Sequence, residues 1–152
     1  MFVSKKINKQ GIYAIKFYMN GKQVIVHVDD FIPVRNGNEP AFVKSFDRHE
    51  IWPIIIEKAW SKLLGSYANT EGGLISWVMR YLTDDAVHHF KITENIRLGE
   101  KLASWNGSGY PVFAFSRKDA YIKHHVVSVI KVEEGRIIMH NPWGYSEWKD
   151  KL

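Results

Sequence analysis

The chain has 152 residues, with 21 Lys and Arg against 16 Asp and Glu for a formal net charge of +5, and is 45% hydrophobic and 24% charged. That balance suits one globular domain with a buried core and argues against a disordered or coiled-coil chain. There is no cysteine, which excludes disulfides, thiolate metal sites and any cysteine nucleophile supplied by this chain.

Six Trp point to a core or interface built on large flat side chains. Apolar runs such as Ile54-Ile55-Ile56 fall far short of the ~18–20 residues of a membrane span, and the first residues carry no apolar signal region. A soluble, cytoplasmic protein is expected, with no membrane partner. Lys and Arg are dispersed, with no basic run beyond Lys5-Lys6, so no nucleic-acid partner is expected either. The positive balance favours an acidic protein surface.

Residues 1–10 read as a tail and 11–152 as one domain. Residues 11–19 read as a strand, and Asn20-Gly21 as a two-residue turn into a second strand over 23–29. Val24, Val26 and Val28 then share one face, leaving Ile25, His27 and Asp29 on the wetter one. Residues 30–40 read as a loop. A helix is expected over 47–64, capped by Asp47 with Glu50 as its partner, Pro53 in the first turn and Gly65 as its end. Its apolar stripe would be Trp52, Ile56, Ala59, Trp60 and Leu63, its wet side Lys58, Ser61 and Lys62. Gly72-Gly73 would open a second helix over 74–82, and Thr93 would cap a third over 94–104, stopping before Asn106-Gly107. Strands are expected over 86–92, 110–115, 124–132 and 136–141. The fold class is therefore α+β, with antiparallel sheets and about three helices.

The histidines do not suggest a metal centre. His88-His89 and His124-His125 are adjacent, so in a strand the members of each pair point to opposite faces. Asp29-Asp30 and Asp84-Asp85 lie beside turns, where carboxylates cap or meet solvent. Gly72-Gly73 lacks the Lys and hydroxyl of a phosphate loop.

The informative stretch is the last hairpin, His125-Val126-Val127-Ser128-Val129, then Glu133-Glu134-Gly135, then Met139-His140-Asn141-Pro142-Trp143-Gly144. If Glu133, Glu134 and Gly135 form a three-residue loop, Val132 faces Arg136 and Asn141 faces Val127, one diagonal step from His125 on the same sheet face. A two-residue loop would put His125 and Asn141 on opposite faces. A His held by an Asn is half of a thiol-protease site: the imidazole is the general base and acid, and the amide oxygen takes its other N–H. Trp143 could cover that hydrogen bond from water.

Asn141-Pro142-Trp143-Gly144 followed by Glu147-Trp148 resembles the asparagine segment of calpain cysteine proteases, and residues 125–129 resemble their histidine strand, with His124 where they usually carry Gly. Val28-Asp29-Asp30-Phe31-Ile32-Pro33, Trp52-Pro53, Glu57-Lys58-Ala59-Trp60, Leu63-Leu64-Gly65-Ser66-Tyr67, Gly72-Gly73 and Leu82-Thr83 match in the same order. The resemblance covers residues 11–148. It implies the second, His/Asn-bearing lobe of a papain-like core, the first lobe carrying the Cys and the oxyanion-hole Gln. By that resemblance His125 is the base, Asn141 its orienter and Trp143 the shielding residue. No cofactor is expected, calcium entering only by family resemblance and without a complete site.

Three functions follow. The first is a calpain-like lobe that is non-catalytic alone and works as a binding or assembly (pseudoprotease) module, on an acidic or cytoskeletal partner. The second is the His/Asn half of a split or excised endopeptidase whose Cys comes from another chain or segment. The third is a binding module that keeps only the fold.

Overall fold

The structure is a computed structural model and describes residues 1–4, 9–45, 47, 49–92, 97–116, 124–133 and 136–143. The chain divides into two compact units, Met1–His88 and His89–Leu152. Among the described residues, three α-helices and small antiparallel sheets make the expected α+β fold. No helix among the described residues is long and apolar enough to cross a membrane.

In the first unit, β1 (Ile12–Met19) pairs antiparallel with β2 (Lys22–Asp29). Asn20 and Gly21 join them at φ of 52° and 71°, the two positive values that a type I′ turn demands. The register sets Ile15 opposite Val26 and Phe17 opposite Val24, so one face of the hairpin is apolar. Ile15, Phe17, Val26 and Val28 are buried there, while Ile25, His27 and Asp29 look outward. The chain start lies alongside: the Val3 N–H donates to the Ala14 carbonyl (2.9 Å) and the Lys16 N–H to the Met1 carbonyl (2.7 Å). Within the segment expected to be loop, Asn36 and Gly37 turn β3 (Val34–Arg35) back onto β4 (Glu39–Pro40).

The first helix begins later than expected. α1 runs Trp52–Leu64, and Asp47 does not cap it. Pro53 sits in the first turn, where a missing N–H costs nothing. Upstream, the acids make local bonds instead: Asp47 Oδ1 accepts from the His49 N–H (2.8 Å), and Glu50 from the Ser45 hydroxyl (2.9 Å). The buried stripe is also turned relative to the expected one. Ile55, 1% exposed, and Ala59 press on the β1–β2 face, whereas Trp52 is half exposed. Ser61, expected to be wet, is 4% exposed, its hydroxyl satisfied by the Lys58 carbonyl at 2.8 Å.

The turn of α1 brings its lysines to β2. Lys62 Nζ donates to the His27 carbonyl (2.8 Å), and Lys58 reaches the Asp29 carboxylate and the Phe31 carbonyl. The Lys58 hydrogen bond holds the Asp29 carboxyl below its ordinary pKa. Gly65 closes α1 at φ 94°, as its position beyond the stripe requires. A short 3₁₀ turn, Ala68–Thr70, leads to α2 (Ile75–Thr83), which Asp84 ends in the left-handed region. Trp60 meets Phe17 and the edge of Tyr81, with ring centroids 5.9 and 5.2 Å away, joining helix, sheet and α2.

The expected strand over 86–92 is not formed; in the second unit Phe90 stacks on Trp105 instead (4.9 Å). α3 is Leu98–Gly107, so Asn106-Gly107 lies inside its last turn rather than beyond it. The expected cap, Thr93, is outside the described residues. β5 (Val112–Phe115), β6 (Val126–Glu133) and β7 (Arg136–His140) form an antiparallel sheet in that order. Leu102 of α3 and Val129 of β6 are buried, while every residue of β7, including Ile137, Ile138 and Met139, is exposed.

Two stability predictions follow from the first unit. Ile55→Ala should cost about 2–5 kcal/mol in urea unfolding, against less than about 1 kcal/mol for the outward-facing Ile25→Ala. Glu57 of α1 accepts the Val43 N–H (3.1 Å), and burial pushes its carboxyl above the ordinary value. A raised folded-state pKa means that this group's stabilising contribution is complete below the unfolded value and is lost as pH rises through the folded one. Glu57→Gln, which keeps the acceptor, should therefore raise the urea midpoint at pH 7 and leave it unchanged near pH 3.

Candidate functional site

The geometry of the last hairpin decides whether His125 and Asn141 meet. Glu133 pairs with Arg136, so two residues separate the strands and not the three that the same-face arrangement was expected to need. Gly135, expected to hold the left-handed position of that loop, lies outside the described residues. Continued as a regular ladder, this pairing would bring Asn141 opposite Ser128, on the far face from His125.

A β-bulge corrects it. Val132 pairs with Ile137 and Lys131 with Ile138, but then Val129 pairs with Met139 and Ser128 with His140, leaving Ile130 as an extra residue on β6. The one-residue shift brings Asn141 next in line opposite Val127, on the face of His125. The amide of Asn106, in the last turn of α3, donates to the carbonyl of Ile130 at 3.1 Å.

His125 Nε2 and Asn141 Oδ1 are 2.8 Å apart. The Trp143 N–H also donates to Asn141 Oδ1, at 3.1 Å. A backbone N–H only donates, so the atom both groups meet is the amide oxygen, and Nε2 is the ring nitrogen that carries hydrogen. Nδ1 is then left with the lone pair, which makes it the basic nitrogen of the neutral ring. The indole of Trp143 lies over the imidazole, with ring centroids 4.2 Å apart and planes tilted 39°. His125 and Asn141 are half-buried, while Trp143 is 46% exposed, so its outer side meets water and its inner side the pair.

The backbone of His125 is held as firmly as its ring. Its N–H donates to Ser116 Oγ (2.8 Å), and its carbonyl accepts the Ser116 N–H (2.8 Å), extending the β5–β6 pairing by one residue. His124 has φ 52°, a left-handed backbone that glycine adopts without strain. That conformation accounts for a Gly at this place in the family that the sequence resembles. Sequence reasoning missed both Ser116 and Asn106. Nothing marks Ser116 before the register is known, and Asn106-Gly107 reads as a helix stop rather than as a side chain with a task.

Among the described residues no three His, Asp or Glu side chains converge to hold a metal ion. Asp29-Asp30 and Asp84-Asp85 belong to the first unit, where Asp29 binds Lys58 and Asp84 ends α2.

A strand imidazole whose Nε2–H is fixed by a neighbouring Asn oxygen, beneath an indole, is the arrangement by which papain-type thiol peptidases prepare their base. The whole chain carries the same signature. The family model described as calpain family cysteine protease matches residues 2–152, and the chain belongs to that family. It is 31% identical over 169 aligned positions to the calpain-type cysteine protease ADL1 of Oryza sativa subsp. japonica, a match covering 97% of this chain and 8% of that protein. It is 30% identical to Calpain-B of Drosophila melanogaster (93% of this chain, 18% of that protein) and 29% identical to the Calpain-2 catalytic subunit of Gallus gallus (93% and 23%). The chain thus spans less than a quarter of the length of these relatives.

Asn141→Ala removes the acceptor that selects one tautomer. Long-range ¹H–¹⁵N spectra of the imidazole should show the Nε2–H form in the unaltered chain and a mixture of tautomers in the variant.

Proposed function

We propose that this chain is the imidazole-bearing half of a calpain-type cysteine endopeptidase core, without activity alone and completed by a lobe that brings the thiol. The observation that carries this reading is the His125–Asn141–Trp143 geometry, in which ring, orienting amide and cover are all in place. With Nε2–H fixed, Nδ1 is the nitrogen available to take a proton from a thiol and return it to a leaving amine. The chain itself has no Cys. A lone imidazole pair has no nucleophile to activate, so the completing lobe, on another chain or another segment, must supply both the thiolate and the oxyanion hole.

A second reading is a binding or assembly module, a pseudoprotease. The missing Cys favours it, and the net charge of +5 suits an acidic or cytoskeletal surface. Both readings need a protein partner and fit a cytoplasmic setting.

The test is to recover the tagged chain with its native partners and treat the complex with a peptidyl epoxide that alkylates activated thiols. The peptidase half predicts a labelled polypeptide seated with the chain. Labelling should be lost in His125→Ala while co-purification is unchanged. A partner that co-purifies without label, indifferent to His125→Ala, would instead establish the binding module.

A further inference from the structure

We propose that Asn106 is a positioning residue for the His125–Asn141 pair, acting through the bulge at Ile130. The inference deepens the half-site reading, since its subject is how base and orienter come to share one face. Two registers compete in this hairpin. With the bulge, Asn141 lies opposite Val127; without it, a regular ladder from Glu133 and Arg136 brings Asn141 opposite Ser128 and turns its amide away from His125.

Burial does not choose between them. Strand register is ordinarily fixed because a slip would move apolar side chains from core to water. In β7 the exposures of Ile137, Ile138 and Met139 are 37%, 44% and 43%, so neither face of the strand is a core face. Val129 keeps its buried place on β6 in both registers, because only the outer strand slips. The regular ladder would also pair Ile130, which the bulge leaves out. Something specific must favour the bulge.

The Asn106 amide is that element. It gives a hydrogen bond at 3.1 Å to the carbonyl of Ile130, the residue that has no partner in the β6–β7 register. The helix end that carries it is firm: the Ser108 N–H bonds the Ser104 carbonyl (3.0 Å), the Gly109 N–H bonds the Asn106 carbonyl (3.0 Å), and Trp105 stacks on Phe90. The amide therefore grips one residue of β6 from a fixed point, and the register beyond that residue follows.

Two variants of the full chain test this, read by imidazole ¹⁵N spectra and cross-strand nuclear Overhauser effects. Asn106→Asp keeps the shape and removes the donor. It should lose the Nε2–H signature of His125 and move the Asn141 cross-strand contact from Val127 to Ser128. Deleting Ile130 in the same variant gives a regular ladder that retains the Val129–Met139 and Lys131–Ile138 pairs, so the Val127 contact and the Nε2–H signature should return. Retention of both in Asn106→Asp alone would overturn the proposal, as would a folded double variant that does not regain them. If Asn106→Asp unfolds the second unit, recovery of fold and pairing in the double variant supports the proposal, and continued unfolding overturns it. None of these readouts needs peptidase activity, so a failure of the half-site reading is told apart from a failure here.

Discussion

The amide oxygen of Asn141 is the atom on which the chemistry of the second unit turns. It accepts from His125 Nε2 on one side and from the Trp143 N–H on the other. The first bond fixes which nitrogen of the ring is basic; the second folds the chain back so that the indole lies over that ring. Each such bond is worth only about 0.5–1.5 kcal/mol net in water-accessible surroundings. A partial aromatic cover lowers the local dielectric and strengthens such a bond. A single acceptor thus sets both the tautomer of the imidazole and the place of the indole over it.

That oxygen is useful only if the strand delivers it to the correct face, which is a question of backbone arithmetic. Side chains alternate along a strand, so one residue more or less on either arm reverses the outcome. The two-residue connection alone would send Asn141 the wrong way, and Ile130 restores it. At the other end of the site, Ser116 returns both backbone groups of His125 to the sheet immediately after the strained His124. The imidazole and amide therefore stand just beyond strand ends that side chains from neighbouring elements hold in register.

How much of this was legible beforehand depends on the range of the interaction. Asn20-Gly21 announces its hairpin because the turn chemistry is contained in two residues, and the Val24, Val26 and Val28 face follows from alternation alone. Pro53 belongs in a first turn, and it marks the start of α1 more strongly than the attractive cap at Asp47 does. The rotation of α1 that buries Ser61 depends on where Lys58 and Lys62 find acceptors on β2, which no local pattern encodes. His125 and Asn141 meet as the sequence suggests, but through a bulge and not through a three-residue loop. Ile130 is one more β-branched residue in a β-branched run, with nothing local to mark it as supernumerary. Its role is visible only once the amide of Asn106 stands over it.

The exposure of β7 has a consequence for handling this protein. The strand lies at the edge of its sheet and carries Ile137, Ile138 and Met139 uncovered. Among the described residues no strand lies on its outer side. Such an edge is a template for a foreign strand. Self-association at high concentration should therefore begin along β7, the strand that runs into Asn141, and show as turbidity in concentrated samples.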